Sequence, residues 1–289
     1  AGGAAAAAAA GDALAKAGKP RPAAAAGPGG GPAGLQPAGF VAHGAPLLAL
    51  DAAKGGDLLR WASAMPKPRA ILAVSAHWER QPASLGPTTP VPLIYDFYGF
   101  PQELYEIAYP APVSAELAAR VEGLLKGVEP VVRQPERGLD HGTWVPLVRM
   151  YPGADVPVLQ LSLPTLDAGR LFRIGRALAP LRKDGVLILG SGNITHNLRM
   201  ADWRAGAVTP AWAADFDAWT KATLAAGDVD RLLDYRRRAP AVVTAHPTHE
   251  HFVPLAVALG AAAADPARVT FPVEGFEFGS ITRRSVQFG

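Results

Sequence analysis

The chain has no cysteine among its 289 residues. That one absence excludes disulfides, iron–sulfur clusters, thiolate zinc sites and cysteine nucleophiles together. Charge is also scarce: 28 Lys and Arg stand against 25 Asp and Glu, a formal net charge of only +3. The arginines are dispersed apart from Arg236-Arg237-Arg238, which reads as a solvated helix end. No interleaving of basic and aromatic residues marks a nucleic-acid surface, so nucleic acid is not an expected partner. Long hydrophobic runs are missing too, since Gly, Pro or a charge interrupts each apolar stretch before it could span a bilayer, and no membrane partner is expected. A cysteine-free chain tolerates either redox compartment. The default expectation is cytoplasmic, with an exported form left open by the Ala-rich start.

What is present is a folded-protein composition, 49% hydrophobic, long enough for one large α/β domain or two small ones. Residues 1–36 are low-complexity Ala, Gly and Pro, with too few large apolar side chains to offset their ordering entropy, and are expected to form a disordered leader. The chain starts at Ala1, and an Ala-rich tail left by signal cleavage is an alternative origin. Residues 37–289 read as a single domain. Gly39–Ala42, Ala70–Ser75, Val131-Val132, Val156–Leu163 and Gly185–Gly190 are expected strands, with more strand after Val269. Helices are expected over Asp57–Ala64, from Ser114 to about Lys126, through Met150, over Asp167–Pro180, as a pair around Gly227 between residues 211 and 238, and over Phe252–Ala264. Apolar strands alternating with helices predict an α/β three-layer sandwich, with a central mostly parallel or mixed sheet flanked by helices.

The chain has seven histidines, and all fall in five short segments. They are Val41-Ala42-His43-Gly44, Ser75-Ala76-His77-Trp78, Leu139-Asp140-His141-Gly142, Gly192-Asn193-Ile194-Thr195-His196 and His246-Pro247-Thr248-His249-Glu250-His251. Four of the five follow a predicted strand or lie in the loop after one, where α/β sheets gather ligands. One imidazole-rich site is therefore expected. Without thiolates it suits a metal bound through nitrogen and oxygen, such as Fe(II), Mn(II) or catalytic Zn(II). His43 and His77 are the natural first pair of ligands. In the last segment the spacing cannot put all three rings on one helix face. His246 is expected at a strand end, Glu250 or His251 in the first helical turn as a third ligand, and His249 toward solvent. Gly190-Ser191-Gly192-Asn193 lacks the lysine and spacing of a P-loop and the second glycine of a nucleophile elbow. Its glycines are expected to let the backbone approach a ligand closely, with His196 aimed inward as an acid/base. Asn193 and His246 are assigned to the substrate side. Residues 90–112, aromatic and proline-rich, are too long for a plain connector and are expected to line the site around Tyr95–Tyr109. Arg199 and Arg204 are candidate carboxylate holders.

Six blocks in order then carry a specific resemblance: His43-Gly44-Ala45-Pro46, Ser75-Ala76-His77-Trp78-Glu79, Tyr95-Asp96-Phe97-Tyr98-Gly99-Phe100-Pro101, Leu139-Asp140-His141-Gly142-Thr143-Trp144-Val145-Pro146-Leu147, Gly190-Ser191-Gly192-Asn193-Ile194-Thr195-His196-Asn197-Leu198, and His246-Pro247 with Glu250-His251 and Pro254-Leu255. From about residue 37 onward the chain resembles the DOPA-dioxygenase branch of the class III, LigB-like extradiol ring-cleavage dioxygenases. The resemblance implies metal-dependent opening of a catechol ring by dioxygen beside its two hydroxyls, giving a muconate semialdehyde-type product. It places the metal on His43, His77 and His251, with Glu250 as an alternative third ligand, the acid/base on His196, and a second catalytic histidine at His141. Fe(II) is expected for activity and Zn(II) as a metal the same site would also bind, with a small catechol such as DOPA and O2 as the partners. A histidine of ordinary pKa near ~6.5 can take a catechol proton and return it. Two other readings of the same residues are a zinc-dependent hydrolase, for which Glu79 and Glu250 would be the bases, and a non-catalytic metal-binding protein.

Overall fold

The computed structural model describes residues 35–204, 206–264 and 269–289. Of the expected leader, residues 1–34 lie outside the described part. Leu35 and Gln36 lie inside it, and Gln36 is buried: its N–H donates to the Arg182 carbonyl at 3.0 Å and its carbonyl accepts from Arg182 Nε at 2.6 Å.

The chain runs β1 (Ala38–Ala42), α1 (Ala52–Ala64), β2 (Ala70–Ser75), β3 (Ala83–Leu85), α2 (Ala115–Leu125), β4 (Val131–Arg133), α3 (His141–Met150), β5 (Val158–Gln160), α4 (Ala168–Leu178), α5 (Pro180–Lys183) and β6 (Val186–Gly192). It continues through α6 (Ala211–Ala225), α7 (Val229–Leu233), α8 (Tyr235–Arg238), α9 (Val242–Ala245), α10 (Pro254–Ala262), β7 (Val269–Val273), β8 (Phe276–Glu277), β9 (Ile281–Thr282) and β10 (Ser285–Phe288). Six strands form the central sheet in the order β5-β2-β6-β1-β10-β7. The β5-β2, β2-β6 and β6-β1 pairs are parallel, and the two pairs made by β10 are antiparallel.

Side chains alternate across this sheet, as the pleat requires. Leu72 and Val74 of β2 and Val186 and Ile188 of β6 enter a core with α4, α10 and α6. Ile71 and Ala73, with Leu187 and Leu189, enter a second core with α1 and α3. Both faces are covered, which is why these strands are continuous apolar runs rather than alternating ones. The three-layer, mixed and mostly parallel α/β architecture is the one the sequence predicts.

Several helices begin at carboxylate or hydroxyl caps. Asp51, Ser114, Asp140 and Asp167 each accept from the backbone N–H three residues on, satisfying a donor that the first helical turn leaves open. At the sheet's antiparallel side, Arg284 makes a two-pronged bond to Asp217 of α6, with Nε–Oδ1 at 2.7 Å and Nη2–Oδ2 at 2.6 Å. Among the described residues no helix is long and apolar enough to cross a membrane.

Candidate active site

β1, β2 and β6 are parallel neighbours, so their carboxyl ends open on one edge of the sheet. Ala42 pairs with Gly192 and Ser75 with Ser191. His43 follows β1 directly and its N–H donates to the Gly192 carbonyl at 3.0 Å. His77 stands two residues past β2, its N–H donating to Ser75 Oγ at 3.1 Å. The strand-end expectation holds for His43, His77 and His196. It does not hold for the last segment: His246 ends the short helix α9, and Glu250 and His251 lie in the turn before α10 rather than within a helix.

What brings that distant turn to the strand ends is the smallness of β6. A Cβ at Gly190 would lie 2.4 Å from the Pro254 carbonyl oxygen, and one at Gly192 would lie 2.0 Å from that of His251. The Asn193 N–H then donates to the His251 carbonyl at 2.9 Å. These glycines therefore admit the protein's own backbone, where the sequence reading had them admit a ligand.

Five imidazoles result. The ring centroids of His43, His77 and His251 form a nearly equilateral triangle, 5.0, 5.2 and 4.9 Å on a side. His141 lies 3.9 Å from His77, and His196 stacks on His251 at 3.4 Å with planes 10° apart. The hydrogen bonds assign the nitrogens. His43 Nδ1 is 2.9 Å from Ser191 Oγ, and that hydroxyl donates its own proton to the Gly142 carbonyl. The serine oxygen must therefore accept from His43 Nδ1–H, which leaves Nε2 as the lone-pair nitrogen. His251 Nδ1 is 2.9 Å from Glu250 Oε1, an oxygen that also accepts from Thr248 Oγ1 at 2.9 Å. His251 Nε2 is buried without a partner. His77 Nε2 faces His43 Nε2 at 3.2 Å, while its Nδ1 lies 3.6 Å from Asp96 Oδ2. Two neutral acceptors meeting at that distance, beside an orphaned third, suit a cation. Each ring's other nitrogen faces an oxygen, the usual support for a metal-binding histidine. The donor set is all imidazole, which fits Fe(II) or Zn(II) rather than an oxygen-loving ion.

Burial favours the neutral, ligating form. His43 and His251 are held well below the ordinary histidine value by desolvation and by the neighbouring rings. Desolvation, followed by His141, lowers His77 to about 3 and His196 to about 4. Asp96 stays ionised at about 2: burial pushes its carboxyl up, but hydrogen bonds from His141 outweigh that.

His141 opens α3, its first turn fixed by the fully buried Asp140 cap. The aromatic loop packs on the same helix start. Trp144 Nε1 donates to the Ile94 carbonyl at 3.0 Å, and the Phe97 ring stands edge-on to His141 at 5.7 Å. The loop thus brings Asp96 and Phe97 to the site, while Tyr98 points away, 93% exposed.

Other expected residues are placed differently. His246 is wholly buried, its Nε2 2.7 Å from the Ile194 carbonyl and its ring against Phe216 and Phe252. Asn193 Nδ2 donates to the Thr282 carbonyl at 3.1 Å. His249 is half-buried beside the Tyr235 ring rather than solvated. Arg204 pairs with its neighbour Asp202. Of the two carboxylates considered as hydrolytic bases, Glu79 is exposed and Glu250 is engaged by His251 and Thr248. Sequence reasoning missed Asp96 and Ser191 as partners, although both stand inside motifs it had picked out.

Comparison with known proteins decides the family. A family model for the catalytic LigB subunit of aromatic ring-opening dioxygenase matches residues 55–289. The chain belongs to the LigB family. It is accordingly a metal-dependent extradiol dioxygenase that opens an aromatic ring using a catechol and O2. Relatives of this LigB chain include the 4,5-DOPA dioxygenase extradiol of Beta vulgaris, 45% identical over 77% of this chain and 85% of that protein. The Escherichia coli protein of the same name is 39% identical over 88% of this chain and 94% of its own length. A crystal structure of the uncharacterized protein JW3007 from Escherichia coli K12 superposes with a TM-score of 0.75 at 35% identity, covering 88% of this chain and all of that one. The LigB match begins at residue 55, so His43 enters the site through the β1-β6 pairing rather than through the matched segment.

Proposed function

We propose that this LigB enzyme cleaves DOPA or a closely related small catechol in the extradiol sense, with Fe(II) held by His43, His77 and His251. The observation that carries the reading is the triangle of three rings whose Nδ1 atoms face Ser191, Asp96 and Glu250. The relatives named as 4,5-DOPA dioxygenases support the substrate class. Fe(II) bound by three imidazoles would supply open coordination positions for a catechol and dioxygen. Zn(II) fits the same donors but has no redox change to offer.

The chain's own residues supply the rest. His196, kept neutral near pH 7 by burial, accepts a catechol hydroxyl proton and later returns it to an oxygen of the ring-opened product. Its stacking on His251 fixes the ring's plane beside the metal ligands. His141 hydrogen-bonds oxygen charge on the opposite flank, next to His77. Phe97 walls that flank against water. Glu250 acts as the orienting partner of His251 rather than as the third ligand. His246 and Asn193 act from behind the site, His246 through the Ile194 carbonyl and Asn193 through β9 and the His251 backbone. A single catalytic domain, residues 37–289, in a cytoplasmic setting that keeps iron ferrous, completes the reading.

The test is anaerobic loading with Fe(II), then L-DOPA and air, followed by the absorbance of a yellow ring-opened product. Turnover with iron but not zinc, lost in both His43→Ala and His196→Ala, is expected. Stoichiometric iron with no product from DOPA or simple catechols would overturn the substrate assignment.

A further inference from the structure

Asp96 faces both His77 and His141, which stand side by side on one flank of the imidazole cluster. Its Oδ1 faces two donors of the same residue, the His141 backbone N–H at 3.0 Å and the His141 ring nitrogen Nδ1 at 2.8 Å. Its Oδ2 lies 3.6 Å from His77 Nδ1, beyond hydrogen-bond range but close enough for charge to be felt. The side chain reaches this position from the aromatic loop, which is fixed to α3 on either side of it. Ile94 N–H donates to the Leu139 carbonyl at 2.9 Å, and Trp144 Nε1 donates to the Ile94 carbonyl. Tyr95 and Phe97 pack on the Trp144 ring at 5.6 and 6.1 Å.

An ionised carboxylate only accepts, so the ring nitrogen facing it carries a proton. The backbone bond from the same residue prevents the ring and the carboxylate from drifting apart independently. We propose that Asp96 is a positioning residue: it locks His141 in the Nδ1–H tautomer and in one ring orientation, so that Nε2 is the nitrogen offered to the substrate. This rests on the reading of His141 as a residue that meets the substrate oxygens. The aromatic loop is then part of the catalytic apparatus through a hydrogen bond, not only a wall of the pocket. Asn in place of Asp96 would keep one acceptor oxygen for His141 and turn an amide donor toward His77 Nδ1. Ala would remove both partners.

The experiment uses the full chain, 15N-labelled at histidine, metal-free and loaded with Zn(II), with Asp96→Asn, Asp96→Ala and Asp96→Glu variants. Long-range 1H–15N spectra report the His141 tautomer without needing any substrate, so a wrong substrate assignment would leave this readout intact. The expected result is Nδ1–H in the parent chain, a shift toward Nε2–H in Asp96→Ala, and partial recovery in Asp96→Glu. With Fe(II) and the catechol that is turned over, Asp96→Ala should lose about ten- to a hundredfold in kcat, the usual cost of removing an orienting partner. In a His141→Ala background, compared at equal bound Fe(II) so that the contact of Asp96 with His77 is taken out, the same substitution should cost little more in kcat, because that part of its effect passes through the His141 ring. An unchanged tautomer in folded Asp96→Ala, which removes the acceptor that Asp96→Asn keeps, would overturn the proposal. So would a loss of kcat that persists undiminished without His141.

Discussion

Gly142 makes the sharpest test of how the site is built, because it ligates nothing. It is the second residue of α3, and a Cβ there would lie 2.5 Å from Ser75 Oγ, 2.8 Å from His77 Cδ2 and 3.2 Å from His43 Nδ1. Carbon atoms in comfortable contact sit near ~3.5 Å, so Gly142→Ala must push the His77 ring or the start of α3 by about 0.7 Å. Metal–ligand distances tolerate only about 0.2 Å. Misplacement on the scale of ~1 Å costs about a hundredfold in rate, and disturbed ligand support costs ~10–100-fold in metal affinity. Overpacking should remove ~1–3 kcal/mol of stability, offset in part by the better helix propensity of alanine, about 1 kcal/mol. Gly142→Ala is therefore expected to fold, to melt a few degrees lower, and to lose roughly a hundredfold in kcat/KM together with tight metal binding. The assay is metal content after Fe(II) loading, then ring-opened product, with Gly123→Ala as the control because a Cβ there meets nothing within 4 Å. Wild-type metal affinity and turnover in Gly142→Ala would refute the claim that α3 presses against the ligand pair.

Other substitutions separate the site from its frame. Ser191→Ala removes the acceptor for His43 Nδ1 and should weaken metal binding by about ten- to a hundredfold with little change in melting temperature, read by competition titration. His246→Ala should do the reverse: it leaves the Ile194 carbonyl unpaired and a cavity beside Phe216 and Phe252, costing ~2–4 kcal/mol in denaturant unfolding while a metal still binds. Arg284→Met leaves Asp217 charged and buried without its partner, and should cost ~3–5 kcal/mol by the same measurement. The metal-free protein should lose stability in acid. His77, His196 and His246 have folded pKa values lowered to about 3, 4 and 3. For a lowered histidine the unfolded state binds more protons below ~6.5, so stability is complete above that pH. It falls by about 1.4 kcal/mol per pH unit for each ring down to its folded value. Melting temperatures flat from pH 6.5 to 4 would contradict the burial of these rings.

The sequence by itself determined the fold class and the members of the imidazole cluster. Short apolar runs rich in β-branched residues and bounded by Gly or Pro signals, such as Ala70–Ser75 and Val186–Leu189, read as strands covered on both sides, and the motifs around His43, His77, His141, His196 and His251 stand in legible turns. Local pattern could not say which histidine looks where. His246 and His251 are five residues apart with similar surroundings in sequence, yet one ring is held through Nε2 by the Ile194 carbonyl among Phe216 and Phe252, and the other is held through Nδ1 by Glu250 within the imidazole triangle. That difference arises because Gly192 lets the His251 backbone close on β6, a contact between segments some sixty residues apart. Asp96 was unreadable for a related reason. Its partners, His77 and His141, lie on two other elements, and only the folding of the aromatic loop onto α3 brings the three together. Side-chain chemistry was written in the chain, but the direction of each nitrogen was decided by long-range packing.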